Sequence, residues 1–164
     1  MNKHESMRGY FAYELYQRMK MNRAVVLICA DLGYKVFDNH FKDIPKQCFN
    51  TGAAEQATMD IAVGMALSGK IPFVYSITPF LIYRPFETLR TYLHHEKIPV
   101  KLVGSGRDYD YKHDGMSHFA QDVGTILSTL PNIITHWPQM KEEIPDLVKT
   151  MIVSGQPEFI SLKR

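Results

Sequence analysis

The run at residues 24–30, AVVLICA, most narrows what this chain can fold into. A continuous apolar stretch rich in β-branched residues has no polar face to turn to water. It therefore reads as a strand buried on both faces, as in a parallel sheet. Shorter runs of the same kind recur at 72–77, 100–103, 133–137 and 158–162, and 47–49 reads as a further short strand. Between them, residues 4–20, 50–69, 85–95, 118–130 and 141–153 space their apolar side chains as helices, the first of them stopped by Asn22. Strands alternating with helices predict an α/β fold, a three-layer α/β/α sandwich around a mainly parallel sheet. Residues 34–46 read as a loop or short irregular segment, 78–84 as a proline-containing aromatic loop, and 104–117 as a polar glycine-rich loop.

At 164 residues, without repeat or linker, one domain over 1–164 is expected, long enough to bury a core without disulfides or metal. A composition of 45% hydrophobic and 22% charged residues is that of a globular protein. The net charge of +2 and the scattering of Lys and Arg among acids give nucleic-acid or anionic-membrane binding no support. No segment is long enough to span a bilayer, and the N-terminus lacks a signal peptide's apolar core. Cys29 lies inside an apolar run and Cys48 has no Cys or His at ligand spacing, so a reduced, cytoplasmic setting is expected. Nine each of Tyr, Phe and Met leave room for an extensive interface with another chain.

Two carboxylates stand out by position. Glu55 follows the Thr51-Gly52 turn and falls in the first turn of the 50–69 helix, where unpaired N–H groups and the helix dipole favour negative charge. On position alone it is a dipole complement. The expected buried face of that helix is Ala54, Thr58, Ile61, Ala62, Met65 and Ala66. Asp31 ends the first strand, where open parallel sheets place ligands, and it reads equally as a turn or cap residue. In the 104–117 loop and just beyond it, His113 and His118 keep company with Asp108, Asp110 and Asp114. Their spacing matches no standard metal set, and hydrogen bonding to a substrate suits them better. No phosphate-binding loop or nucleophilic-serine context is present.

The order of motifs carries more than any one of them. Asp31-Leu32, Gly52-Ala53-Ala54-Glu55-Gln56, Gly69-Lys70-Ile71-Pro72-Phe73, Arg84-Pro85-Phe86-Glu87-Thr88-Leu89-Arg90, His113-Asp114-Gly115-Met116-Ser117-His118 and Leu130-Pro131-Asn132-Ile133 together resemble the pyrimidine-binding domain of transketolases. The resemblance runs from about Val25 to Trp137. It implies thiamine diphosphate as cofactor, with Glu55 bonded to N1′ of the aminopyrimidine, favouring the imino tautomer whose exocyclic nitrogen deprotonates the thiazolium. It also implies that Asp114 and His118 face sugar hydroxyls and that Asp31 lies near cofactor and substrate. The family's stacking phenylalanine, counted back from Arg84, falls on Leu81, so Phe80 or Tyr83 takes its place. The family histidine before the loop aspartate falls on Gly106. Its neighbour Arg107 is the expected anion-holding group in place of the usual phosphosugar contact.

Transketolases hold the diphosphate through Mg²⁺ on a separate domain with a Gly-Asp-Gly motif, which is absent from this sequence. The resemblance thus implies a split enzyme. This chain is expected to be the pyrimidine-side subunit, paired with a diphosphate-binding subunit that carries Mg²⁺, as a heterotetramer or around a homodimer of pyrimidine-side subunits. The implied reaction is transfer of a two-carbon ketol unit between sugars or sugar phosphates. The alternatives are another thiamine-diphosphate reaction, on a 2-oxo acid, and a catalytically idle scaffold.

Overall fold

All five residues of β1 (Val25–Cys29) are buried, as an unbroken apolar run requires. In parallel fashion β1 pairs on one side with β2 (Cys48–Asn50) and on the other with β3 (Ile71–Ile77). Beyond β3 lie β4 (Lys101–Ser105), β6 (Glu158–Leu162) and β5 (Ile134–His136), giving the order β2-β1-β3-β4-β6-β5. The computed structural model describes residues 5–164, and every strand pair among them is parallel. The expected mainly parallel sheet is therefore parallel throughout.

The helices are α1 (Met7–Met21), α2 (Asp38–Asp43), α3 (Glu55–Leu67), α4 (Thr78–Tyr83), α5 (Phe86–Thr88), α6 (Val123–Ser128) and α7 (Ile144–Val153). Side chains alternate between the two faces of each strand and so serve two cores. Leu27, Cys29, Phe73, Tyr75 and Ile160 pack with Phe11, Leu15 and Met19 of α1 and Val148 and Met151 of α7. Ile28, Val74, Leu102 and Phe159 pack with Met59 and Ala62 of α3, Leu81 and Ile82 of α4, and Val123 and Leu127 of α6. Fully burying one such side chain contributes roughly 1.5–3 kcal/mol. The chain steps from β1 to β2 on one side and then to β3 on the other. A crevice opens where those directions diverge, beyond the carboxyl ends of β1 and β3.

Helix ends follow local chemistry. Ser6 Oγ accepts from the Gly9 N–H at 3.1 Å and caps α1, while Asn22 stops it with its backbone N–H on the Arg18 carbonyl. The expected start of that helix at His4 lies outside the described residues. Gly69, at φ 82°, closes the α3 segment in the left-handed region that glycine adopts freely.

Several expectations are corrected. Residues 34–46 contain α2, which forms because the buried His40 ring seats edge-on against Tyr16 and Phe37, at 5.2 and 5.0 Å between centroids. Within 78–84, expected as a loop, residues Thr78–Tyr83 are the helix α4. Pro79 falls in its first turn, where no N–H is needed, and Leu81 and Ile82 give it a buried face. Residues 89–95, expected as ordinary α-helix, form a π-helix. The helix expected over 118–130 shrinks to α6, preceded by extended backbone at Phe119. On α3 the buried face is Glu55, Thr58, Met59, Ala62 and Val63, whereas Ile61, assigned to it from sequence, is 41% exposed.

Candidate active site

Two loops at the carboxyl edge are tied by Asn50, whose Oδ1 accepts from the N–H of Asp31 at 3.2 Å and of Gly52 at 3.0 Å. Gly52, at φ 72°, turns the chain from β2 into α3. No side chain caps this end of α3. Thr58 Oγ1 bonds back to the Ala54 carbonyl at 2.9 Å and lies 2.5 Å from Thr51 Oγ1, stitching the turn to the helix. Glu55, the first residue of α3, is thereby buried at 6% exposure.

Its carboxylate Oε1 accepts from Arg84 Nη1 at 2.6 Å. The Arg84 guanidinium lies over Phe80, 3.7 Å from Cζ to the ring centroid. Phe80 in turn meets the His118 imidazole edge-on at 4.8 Å, and His118 is followed by Tyr111 at 6.3 Å. The start of α3, the helix α4 with the residue that follows it, and the segment after β4 thus place Glu55, Phe80, Arg84, His118 and Tyr111 in series along the edge of the sheet. A second network fixes α3 against α5. Gln56 Nε2 donates to Thr88 Oγ1 at 2.6 Å and to Asp60 Oδ1 at 3.1 Å, and Thr88 Oγ1 donates to Asp60 Oδ1 at 2.8 Å.

Among the aromatic alternatives, Leu81 is 1% exposed and packed in the core, so it presents nothing to the crevice. Tyr83 is 37% exposed, with its hydroxyl donating to Asp122 Oδ1 at 2.5 Å. Burial, reinforced by that carboxylate, raises the Tyr83 phenol above its ordinary range. Phe80 alone of the three contacts both Arg84 and His118.

Asp31, at φ 52°, lines a cavity of about 200 Å³ with Arg8, Tyr34, Tyr75, Ser105 and Tyr111. Arg8 Nη1 donates to the Tyr111 hydroxyl at 3.2 Å, and that hydroxyl lies 2.8 Å from Ser105 Oγ. Burial pushes the neighbouring Tyr75 phenol up to about 12, against a hydrogen bond with Ser105. Asp114 is exposed at the end of the 3₁₀ turn Lys112–Asp114, before Gly115 at φ 89°.

Arg107 is turned inward. Its Nη2 donates to the carbonyls of Ser161 at 2.7 Å and Pro138 at 3.0 Å, and its Nε donates to Ser161 Oγ at 3.1 Å. In this conformation those donors are taken up by Ser161 of the C-terminal strand and by the Pro138 carbonyl. Gly106 has a steric reason: at φ 84°, a Cβ there would lie 2.3 Å from the Tyr111 ring. Tyr111 thus fills the space over Gly106, where the resemblance led one to expect a histidine.

The model of the transketolase pyrimidine-binding domain matches residues 3–164. The chain belongs to that family. It is 27% identical over 162 residues to the putative transketolase C-terminal section of Methanocaldococcus jannaschii, covering 98% of this chain and 51% of that protein. Against one subunit of the apulose-4-phosphate transketolase of Phocaeicola vulgatus the identity is 25% over 158 residues, with coverages of 96% and 51%. A solved split-gene transketolase, described as an inactive beta4 tetramer, superposes with a TM-score of 0.84 at 28% identity over 97% of this chain and 52% of that one. The chain thus spans about half the length of these three relatives.

Sequence reasoning named Arg84 only as part of a motif and missed Arg8 and Tyr111. Arg84 had a signal in its Arg-Pro-Phe context. Arg8 had none beyond its place at the start of α1, because its partner Tyr111 is 103 residues away.

Proposed function

We propose that this domain is the pyrimidine-side part of a thiamine-diphosphate-dependent, transketolase-like enzyme whose diphosphate-binding half, with Mg²⁺, is a separate subunit. The observation that carries the reading is the pairing of a buried carboxylate, Glu55, with the partly buried ring of Phe80, bridged by one planar cation. A carboxylate beside an aromatic face is what an aminopyrimidine needs: one group to share a proton with N1′ and one surface to stack on. These residues fit the cofactor. Among the described residues, no group of three His, Cys, Asp or Glu side chains lies close enough to hold a metal ion, and the reading assigns Mg²⁺ to the partner subunit. Relatives named as a transketolase subunit and as a C-terminal section support the division between two chains.

When bound, thiamine diphosphate supplies a nucleophilic carbon that accepts and releases a two-carbon ketol unit. Glu55 holds the proton at N1′ and fixes the tautomer, and Phe80 stacks on the ring. His118, held in place by the Phe80 ring, faces the sugar hydroxyls with Asp114 and moves protons to and from them. Asp31 orients the sugar chain, and Arg8 supplies the positive charge at its far end that was expected of Arg107. The substrate class is a ketose donor and an aldose acceptor, in a cytoplasmic setting, with a hetero-oligomer as the active form.

The test is co-expression with a diphosphate-binding subunit and assay of ketol transfer with thiamine diphosphate and Mg²⁺. Full activity from this chain alone would overturn the two-chain reading. In the complex, Glu55→Gln is expected to keep assembly while slowing exchange of the thiazolium C2 proton by roughly 10²–10⁴-fold. An unchanged exchange rate removes Glu55 from this role.

A further inference from the structure

Arg84 makes two contacts that belong to one seat. Its Nη1–H meets the Glu55 carboxylate at 2.6 Å, and the same flat guanidinium covers the Phe80 ring at 3.7 Å. Glu55 is 6% exposed, and a carboxylate so buried is costly without a compensating charge. Arg84 is 46% exposed, so its guanidinium can leave toward solvent without unpacking either core.

We propose that Arg84 is a displaceable occupant of the aminopyrimidine seat, which the cofactor must evict to bind. The inference rests on the reading of Glu55 and Phe80 as the pyrimidine site. An aminopyrimidine protonated at N1′ is flat, cationic and delocalised, and it offers an N–H to a carboxylate. A guanidinium has the same four properties. The chain thus keeps its buried carboxylate paired and its stacking face covered by supplying the analogue from the residue that follows α4. The seat accepts flat amidinium-like cations as a class, and it reports a bound one by releasing Arg84.

Occupancy by Arg84 lowers apparent affinity by the fraction of time the seat is free, so a seat closed nine-tenths of the time binds about tenfold more weakly. The experiment titrates the full chain with thiamine and with the free aminopyrimidine moiety of thiamine. Affinity is read by calorimetry and the Arg84 side chain by NMR, in wild type, Arg84→Ala, Arg84→Gln and Glu55→Gln. Arg84→Gln keeps a neutral donor near Glu55 in case Arg84→Ala folds poorly.

The expected result is binding about tenfold tighter in the Arg84 variants than in wild type. Arg84 resonances in wild type should lose their Phe80 ring-current shift as probe is added, and in Glu55→Gln they should be released before any probe is present. Equal or weaker binding in the Arg84 variants, with wild type binding normally, overturns the placeholder and makes Arg84 a ligand-holding residue. No binding to wild type or to either Arg84 variant, with native circular dichroism, overturns the pyrimidine-site reading itself and the placeholder with it.

Discussion

His40 and Glu55 are both buried polar residues, and the chain treats them differently. Glu55 receives a charged partner from Arg84. The His40 ring is 0% exposed between Tyr16 and Phe37, where the Ala12 backbone offers no more than a weak hydrogen bond. Burial pulls the imidazole from its ordinary 6.5 down to about 4, against small opposing pulls from Ala12 and Asp43. The folded pKa lies below the unfolded one, so between pH 6.5 and about 4 the unfolded chain takes up a proton that the folded chain refuses. Stability is expected to fall as pH drops through that window, by about 3 kcal/mol once complete. Urea midpoints measured across the window for wild type and His40→Leu check this, and the variant should lose that part of the slope.

The α3 helix serves two purposes along its length. Its first turn delivers Glu55 to Arg84 and Gln56 to Thr88, while Thr58, Met59, Ala62 and Val63 anchor it on the sheet. The Gln56–Thr88–Asp60 network then fixes its rotation relative to the segment carrying Arg84. Counting apolar residues misplaced the buried stripe, because Ile61 is apolar but lies outside it. Met59→Ala is expected to cost roughly 2–5 kcal/mol, since Met59 is 0% exposed, whereas Ile61→Ala should cost well under half as much. Chemical denaturation of the two variants decides between the stripes, and equal costs would restore the face read from sequence.

Across the whole molecule, the edge of the sheet opposite the crevice is closed by a buried ionic clamp. Lys101 and Glu158, each 1% exposed, open β4 and β6 and pair at 2.9 Å. Lys101 Nζ also donates to the Gln156 carbonyl at 2.5 Å and Ser154 Oγ at 3.0 Å, and His136 Nε2 lies 2.6 Å from Glu158 Oε2. Burial alone would raise the Glu158 carboxyl, but hydrogen bonds from His136, Ser154 and Lys101 outweigh it and hold the group at about 2. Its folded pKa is depressed, so this contribution is present above the ordinary 4.5 and is lost as pH falls toward about 2, below most of the His40 window. Glu158→Ala strands a buried ammonium and is expected to cost about 3–5 kcal/mol. The double variant Lys101→Met with Glu158→Leu should recover most of that loss, as thermal melts would show.

The sequence by itself determined the parallel α/β architecture and the family. Residues 24–30 cannot hide seven apolar side chains except in a doubly covered strand, and the ordered motifs from Asp31 to Ile133 survive as local text. It also located Glu55 at a helix start, since a Gly turn followed by an apolar-periodic run is a short-range signal. The tertiary structure alone decided what meets Glu55. Arg84 lies 29 residues away, and no periodicity predicts that pairing. The same holds for the burial of Leu81 against the partial exposure of Phe80: one residue along a helix turns a side chain by about 100°, and only packing fixes the zero of that rotation. Arg107 and Tyr111 make the point in reverse. A cation in a polar glycine-rich loop read as an anion holder, but Ser161 and the Pro138 carbonyl take its guanidinium inward while Tyr111 fills the space over Gly106, and both arrangements exist only once segments far apart in the chain lie side by side.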